Sequence, residues 1–351
     1  MGIDQTKLQQ FMDKAVLDVG ATASAALVII GDKLGLYKTL AESGPLTSLE
    51  LSKKTGTSER YVREWLANQA AGGYIMYNSK DRNYFLTEEQ SFALAKEDSP
   101  VFLPGAFQVM ASIIKDEPKI TNAFLTGKGV DWGDHNQDLF DGTERFFKPM
   151  YLANLTTKWI PSLNGVEDKL KSGAKVADIG CGHGSSTILM AKTYPNSTFV
   201  GFDYHKPSIE KARENAEKAG VINRVKFELA SSTNFPGNDY DLVTFFDCLH
   251  DMGDPVGAMT RTKKSLKKEG VLLLVEPFAN DKLEDNLNPV GRICYAASTM
   301  VCVPASLAHN GPALGAQAGE ERLKKVVVAG GFTRFRRATQ TPFNLVFEAK
   351  P

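Results

Sequence analysis

In the second half of the chain, apolar runs of strand length alternate with segments whose apolar positions recur at helical spacing. The strand-like runs lie at 176–179, 199–203, 225–229, 240–247 and 271–276, and helical patterns lie at 185–193, 208–219 and 256–268. Repeated strand and helix units predict a doubly wound α/β fold with a mostly parallel sheet. In such a sheet, ligand-binding groups gather at the C-terminal ends of the strands.

The first of these strands ends in a turn that is rich in glycine. Asp178 is followed by Gly180, Gly182 and Gly184, and a helical pattern begins at Ser185. Glycines allow the backbone to bend sharply and to approach a ligand closely, because they carry no Cβ atom. The sequence therefore predicts a strand, a tight ligand-binding turn and a helix.

The charges around this turn indicate which ligand it binds. A nicotinamide fingerprint would read G-x-G-x-x-G, but Ser185 occupies the position of its third glycine. Asp178 would repel phosphates and attract an ammonium group. S-adenosylmethionine carries an ammonium and a sulfonium and no phosphate. Asp203 follows about 20 residues after the turn, the spacing at which an acid reaches ribose hydroxyls.

Residues 20–95 resemble a winged helix. A short helix beginning at 46–51 has Thr47 or Ser48 as its cap, a second helix spans 59–71, and strands at 74–77 and 83–86 flank a polar turn. A winged helix suggests DNA binding, but acids offset the bases of this segment. We therefore do not expect this domain to bind nucleic acid.

Residues 166–351 resemble the catalytic domain of class I S-adenosylmethionine-dependent methyltransferases. The resemblance implies a seven-stranded sheet whose last strand is antiparallel. It also implies that Asp178 binds the donor's ammonium, that Asp203 binds its ribose, and that Ser231 stands near the position of an adenine contact. The predicted cofactor-binding residues are Asp178, Gly180, Gly182, Gly184, Asp203, Ser231 and Asp247.

The segment Asp247 to Asp251 resembles the His-Asp-Trp element of phenol-type O-methyltransferases, with Met252 in place of Trp. The resemblance implies that His250 is the catalytic base and that Glu276 orients it. A second acid of that family is missing from the late loop, since 312–319 contain none before Glu320. Two roles for His250 therefore remain open, as base or as a residue that lines the pocket.

The domain organisation follows from these resemblances. We predict a winged-helix-like dimerisation domain at 1–99, a helical linker and substrate cap at 100–165, and a methyltransferase domain at 166–351. The linker is rich in aromatic residues, of which Phe147, Met150 and Tyr151 are the candidates for lining an apolar substrate cavity. In phenol-type O-methyltransferases the winged helix pairs two subunits, which implies a homodimer.

Composition indicates which partners and which cellular compartment to expect. The 351 residues include 41 basic and 41 acidic ones, so no overall charge draws the chain to nucleic acid or to a membrane. The four cysteines lack metal-ligand spacing, and the apolar run at 21–30 is about half the length that spans a bilayer. We expect a cytoplasmic protein with no metal, no disulfide and no membrane partner.

The sequence predicts methyl transfer from S-adenosylmethionine to an oxygen of a small, fairly apolar acceptor. One alternative is an N- or C-methyltransferase without a catalytic base. Another is a DNA-binding regulator that uses its second domain as a donor sensor. A nicotinamide oxidoreductase is disfavoured by Asp178 and Ser185.

Overall fold

The computed structural model describes residues 2–351, which divide into two compact units between Ala111 and Ser112. The elements of the first unit are α1 (Gln5–Lys33), α2 (Leu36–Ser43), α3 (Ser48–Thr55), α4 (Glu59–Ala71), β1 (Met76–Asn78), β2 (Asn83–Phe85), α5 (Glu88–Leu94) and the start of α6 (Pro104–Lys115). The predicted domain boundaries at 99 and 165 stay predictions.

The first unit contains the predicted helix-turn-helix and wing. Thr47 caps α3 in a capping box with Glu50, which satisfies backbone donors of the first helical turn. Helix α4 buries Val62, Trp65 and Leu66, as its 3.6-residue periodicity predicts. Strands β1 and β2 pair antiparallel to form the wing.

Helix α1 leaves most of its apolar side chains exposed. Phe11, Leu17 and Val19 are 66%, 74% and 69% exposed. The apolar run at 21–30 looked too short to cross a bilayer, but it belongs to a helix of 29 residues. By length and composition alone, Gln5–Lys33 and Pro289–Ala308 could each span a membrane, a test that buried core helices and signal sequences also pass.

The second unit is built around a single large sheet. Its helices are α7 (Glu117–Thr126), α8 (Gln137–Asn154), α9 (Val166–Ser172), α10 (Ser185–Thr193), α11 (Lys206–Lys218), α12 (Pro255–Ser265), α13 (Pro289–Ala297), α14 (Val303–Ala308) and α15 (Gly319–Ala329). Its strands are β3 (Lys175–Ile179), β4 (Thr198–Asp203), β5 (Val225–Leu229), β6 (Tyr240–Phe246), β7 (Leu266–Pro277), β8 (Arg334–Gln340) and β9 (Asn344–Lys350).

The strand order is β5-β4-β3-β6-β7-β9-β8, with β3 to β7 parallel and β9 antiparallel to both of its neighbours. This confirms the predicted doubly wound sheet with an antiparallel last strand. Alternate residues of β3 and β6 pack into two hydrophobic cores, one on each face of the sheet. Val176 and Leu242 belong to one core, and Ala177 and Val243 belong to the other. Burial of both faces explains why these strands are apolar almost throughout.

The strand order reverses between β3 and β6, because β4 and β5 follow on one side and β7 on the other. Ligands of doubly wound sheets bind at such a reversal, beyond the C-terminal ends of the strands. The glycine turn follows β3, Asp203 ends β4, and Asp247 follows β6. The topology thus brings these three segments to the same edge of the sheet.

Candidate active site

A cavity of about 420 Å³ lies at this edge, between α8, the glycine turn, the end of β4 and the segment after β6. Its acidic wall residues are Glu144, Asp203, Asp247, Asp251 and Asp254, and within residues 2–351 the wall contains no lysine or arginine. Its aromatic wall residues are Trp132, Phe140, Phe147, Tyr151, Phe202, Tyr204 and Phe246. The cavity is therefore acidic and apolar.

The three glycines of the turn adopt left-handed conformations, with φ of 70° at Gly180, 51° at Gly182 and 82° at Gly184. Gly180 and Gly182 border the cavity. A Cβ at Gly182 would meet no protein atom within 4 Å, whereas one at Gly184 would lie 2.4 Å from the ring of Phe227. Gly184 thus allows close helix packing, and Gly182 leaves backbone accessible to a ligand.

Asp178 lies near the end of β3, just before this turn, and three protein hydroxyls donate hydrogen bonds to its carboxylate. Its carboxylate accepts bonds from Ser186 and Thr187 at 2.7 and 2.6 Å and from Thr244 at 2.8 Å. Burial raises its pKa, although these hydroxyls act in the opposite direction. Within residues 2–351 the cavity wall does not include Asp178. The predicted ammonium contact stays a prediction, and the observed contacts favour a role in supporting the turn.

Asp203 borders the cavity and is hydrogen-bonded to the backbone at two points. Its two carboxylate oxygens accept bonds from the backbone N–H groups of Gly182, at 3.0 Å, and His205, at 2.8 Å. Burial raises its pKa, while those two backbone donors lower it. Each oxygen keeps a second lone pair, so the carboxylate can still accept hydrogen bonds from a ligand.

Glu144 on α8 was not predicted as a site residue. Its carboxylate accepts a bond from Ser185 at 2.9 Å and is bonded to His183 Nδ1 at 2.9 Å. Burial raises the pKa of Glu144, but the hydrogen bonds from His183 and Ser185, together with the charges of His183 and Lys148, lower it below its usual value. No local signal marks this residue, because it contacts residues about 40 positions away in sequence.

Two further predicted cofactor residues, Ser231 and Asp247, also border the cavity. Ser231 Oγ lies 3.3 Å from Thr233 Oγ1. Asp247 adopts a left-handed φ of 51°, and its Oδ1 accepts a 3.3 Å bond from Asn344. Burial and the nearby Glu276 raise its pKa well above the usual range, and its Oδ2 is buried without a partner.

The predicted pair of His250 and Glu276 is formed, but it lies behind the wall. His250 Nδ1 is 2.5 Å from Glu276 Oε2, and His250 Nε2 is 3.3 Å from Cys302 Sγ. The side chains of His250 and Glu276 are 4% and 1% exposed. Within residues 2–351 neither residue borders the cavity.

Of the predicted substrate-lining residues, Phe147 and Tyr151 border the cavity and Met150 does not. Phe147 and Tyr151 are one helical turn apart, so they share a face of α8, and their rings stack at 6.3 Å. Among the described residues, no cluster of three His, Cys, Asp or Glu side chains is arranged to hold a metal ion.

Two family models match parts of the chain. Residues 170–329 match a methyltransferase domain, and residues 22–96 match an Rv2258c-like winged HTH domain. The chain therefore carries an N-terminal winged helix-turn-helix domain followed by a methyltransferase domain, which confirms the resemblance seen in the sequence.

Curated relatives are similar over the second domain. The 27-O-demethylrifamycin SV methyltransferase of Amycolatopsis mediterranei (strain S699) is 33% identical over 125 residues, which make up 35% of this chain and 45% of that protein. The chain spans about half the length of the curated relatives it matches.

Solved structures match almost the whole chain. A candidate O-methyltransferase from Nostoc punctiforme PCC 73102 has a TM-score of 0.73 and 23% identity, covering 95% of this chain and 97% of that one. Human N-acetylserotonin methyltransferase, solved in complex with SAM, has a TM-score of 0.71 and 17% identity, covering 100% and 99%. At these identities the likeness shows a shared fold.

Proposed function

We propose that the methyltransferase domain transfers a methyl group from S-adenosylmethionine to an oxygen of a small, fairly apolar acceptor. The observation that carries this proposal is the cavity at the strand ends, whose wall has five acidic residues and neither lysine nor arginine within residues 2–351. Such a wall attracts a cationic donor and offers neither lysine nor arginine to the phosphates of a dinucleotide.

The donor fits the residues present. Gly180 and Gly182 would present backbone to its methionine and ribose parts, since both border the cavity and a Cβ at Gly182 would occupy open space. Asp203 would accept hydrogen bonds from its ribose hydroxyls. Ser231 and Asp247 would border the remainder of the donor.

Asp178 would act through the turn. Its three hydroxyl contacts tie the end of β3 to the first turn of α10 and to β6. This network fixes the position of Gly180 and Gly182, since the turn runs directly from Asp178 to Ser186. The donor site therefore depends on Asp178 even without a direct contact.

The acceptor would lie against the aromatic wall. Tyr151 packs against Phe246 at 5.4 Å and Phe147 lies beside it, so this side of the cavity suits a flat, apolar molecule. When bound, S-adenosylmethionine supplies a methyl group already activated by its sulfonium charge. The residues' main task is to align the acceptor oxygen with that methyl group.

The relatives named above support oxygen as the acceptor atom, since the rifamycin enzyme is named for methyl transfer to an oxygen. We test this by supplying labelled S-adenosylmethionine with matched phenols and anilines. Transfer to phenols is the expected result. Transfer to anilines alone would favour an N-methyltransferase, and labelling of carbon would favour a C-methyltransferase.

We further propose that the protein works as a homodimer in the cytoplasm. The exposed apolar side chains of α1 supply a surface suited to a second copy. On α4, Arg60 pairs with Glu64 and Arg63 with Glu59, so both arginines of this helix already have acidic partners. All four cysteines are thiols, as a reducing compartment allows.

A further inference from the structure

The residue after His250 is an acid at the wall of the cavity. Asp251 borders the cavity in the short helix Leu249–Asp251 that follows β6. Its carboxylate interacts electrostatically with Asp203 and Tyr204, two other wall residues. Within residues 2–351 it makes no hydrogen bond to another side chain, and the residue is only partly buried. This acid is therefore available to a ligand.

His250 is not available in the same way. Both of its ring nitrogens are engaged, Nδ1 by Glu276 and Nε2 by the Cys302 thiol. Burial alone would lower its pKa, but the adjacent Glu276 carboxylate raises the pKa well above the usual range. A histidine that already holds its second proton cannot accept one from a hydroxyl.

The surroundings of Asp251 suit proton transfer near neutral pH. Burial raises the pKa of Asp251 to about 7, with Glu276 and Asp203 adding to the rise and His250 opposing it. Asp247, Cys248 and Tyr204 are the other titratable groups whose charge it feels. A base with a pKa close to the working pH is efficient, because it is both available and strong enough.

We propose that Asp251 is the general base that receives the acceptor's proton, and that His250 with Glu276 is a positioning pair. The proposal rests on the proposed function. As the acceptor oxygen forms its bond to the methyl carbon, its proton passes to a carboxylate oxygen of Asp251. The electron pair of the breaking carbon–sulfur bond stays on sulfur, which becomes a neutral thioether, and the proton then leaves to solvent.

The test compares two variants, Asp251→Asn and His250→Gln, on a set of ring-fluorinated phenols. The parent phenol is the one that the unmodified protein methylates fastest, and fluorine increases acidity with little change in size. A missing base matters most for the least acidic phenol and little for one that is already ionised. Single-turnover rates are measured with labelled S-adenosylmethionine. The deficit of a variant is the factor by which it slows methyl transfer to a given phenol.

If Asp251 is the base, Asp251→Asn lowers transfer to the least acidic phenol at least ~100-fold, and this deficit shrinks steadily along the series. His250→Gln lowers transfer by a similar factor at every acidity. The proposal is overturned if the His250 deficit follows phenol acidity while the Asp251 deficit is constant or absent.

Two controls keep the result interpretable. The affinity for S-adenosylhomocysteine and the unfolding temperature of each variant show whether the donor site and the fold are intact. If the unmodified protein binds S-adenosylhomocysteine but methylates no phenol, the proposed oxygen chemistry fails before Asp251 is tested. These outcomes separate failure of the base assignment from failure of the proposed function.

Discussion

Glu144 on α8 and His183 in the glycine turn form a 2.9 Å hydrogen bond at the wall of the cavity. The same carboxylate accepts a hydrogen bond from Ser185 at the start of α10, so Glu144 joins α8 to both ends of this contact region, the turn and α10. The bond to His183 is charge-assisted, since Glu144 is ionised. This contact ties α8 to the glycine turn.

Replacing Glu144 by Gln should weaken S-adenosylhomocysteine binding about 10-fold, since a hydrogen bond to a charged group contributes about 1.5–3 kcal/mol. Titration calorimetry measures the change. Glu210→Gln is the matched control, because Glu210 is an exposed acid on α11 with only a long ion pair to Lys206. Equal affinities in both variants would show that the contact does not support the donor site.

Replacing Asp178 by Ala should both destabilise the domain and weaken S-adenosylhomocysteine binding. Three buried hydroxyls, of Ser186, Thr187 and Thr244, lose their shared acceptor. One such loss costs about 1–3 kcal/mol. Differential scanning calorimetry and ligand titration measure the two effects. A variant with the original unfolding temperature and affinity would refute the supporting role given to Asp178.

Gly184→Ala should destabilise the domain more than Gly220→Ala. Both glycines have a positive φ, so each substitution carries a backbone cost of about 1–3 kcal/mol. Only at Gly184 does the new Cβ also collide with Phe227, whereas at Gly220 it meets no atom within 4 Å. Chemical denaturation measures the difference, and equal destabilisation would mean that Phe227 moves aside without cost.

The rate of methyl transfer should rise as the pH increases through about 7. Asp251 accepts a proton only when it is ionised, and its raised pKa places that ionisation at about 7. Below this pH the protonated acid is inactive as a base, so the rate falls as the pH falls. Asp251→Asn should remove the rise. A variant that keeps the same profile would assign the ionisation to another group.

Replacing Val19 by Glu should convert the proposed dimer to monomers. Val19 is 69% exposed on α1, and a charge there would have to be buried against the second copy. Gln10→Glu is the control, because it places the same charge on the same helix at an exposed polar position. Analytical ultracentrifugation measures the mass. A monomeric unmodified protein would contradict the proposed dimer.

The strands of the large sheet and the helices between β3 and β7 could be predicted from the sequence to within a few residues. The helix at 185–193 and the strand at 225–229 have the predicted bounds, because local apolar periodicity and glycine placement determine both. Strand β7 begins at Leu266, five residues before the predicted start at 271. Its first residues are mostly polar and exposed, so they carry no strand signal.

The site was less predictable than the fold. Gly180, Gly182 and Asp203 reach the cavity because strand ends position them, and the sequence shows where strands end. Glu144 could not be found, since its partners come from a distant segment. The direction in which His250 points depends on Cys302, 52 residues away, and no local pattern encodes that contact.

The donor assignment underlies the proposed chemistry, and one calorimetric comparison tests it directly. The full chain is titrated separately with S-adenosylhomocysteine and with NAD⁺ under the same conditions. The acidic cavity predicts saturable heat with S-adenosylhomocysteine and none with NAD⁺. Saturable heat with NAD⁺ and none with S-adenosylhomocysteine would contradict the account.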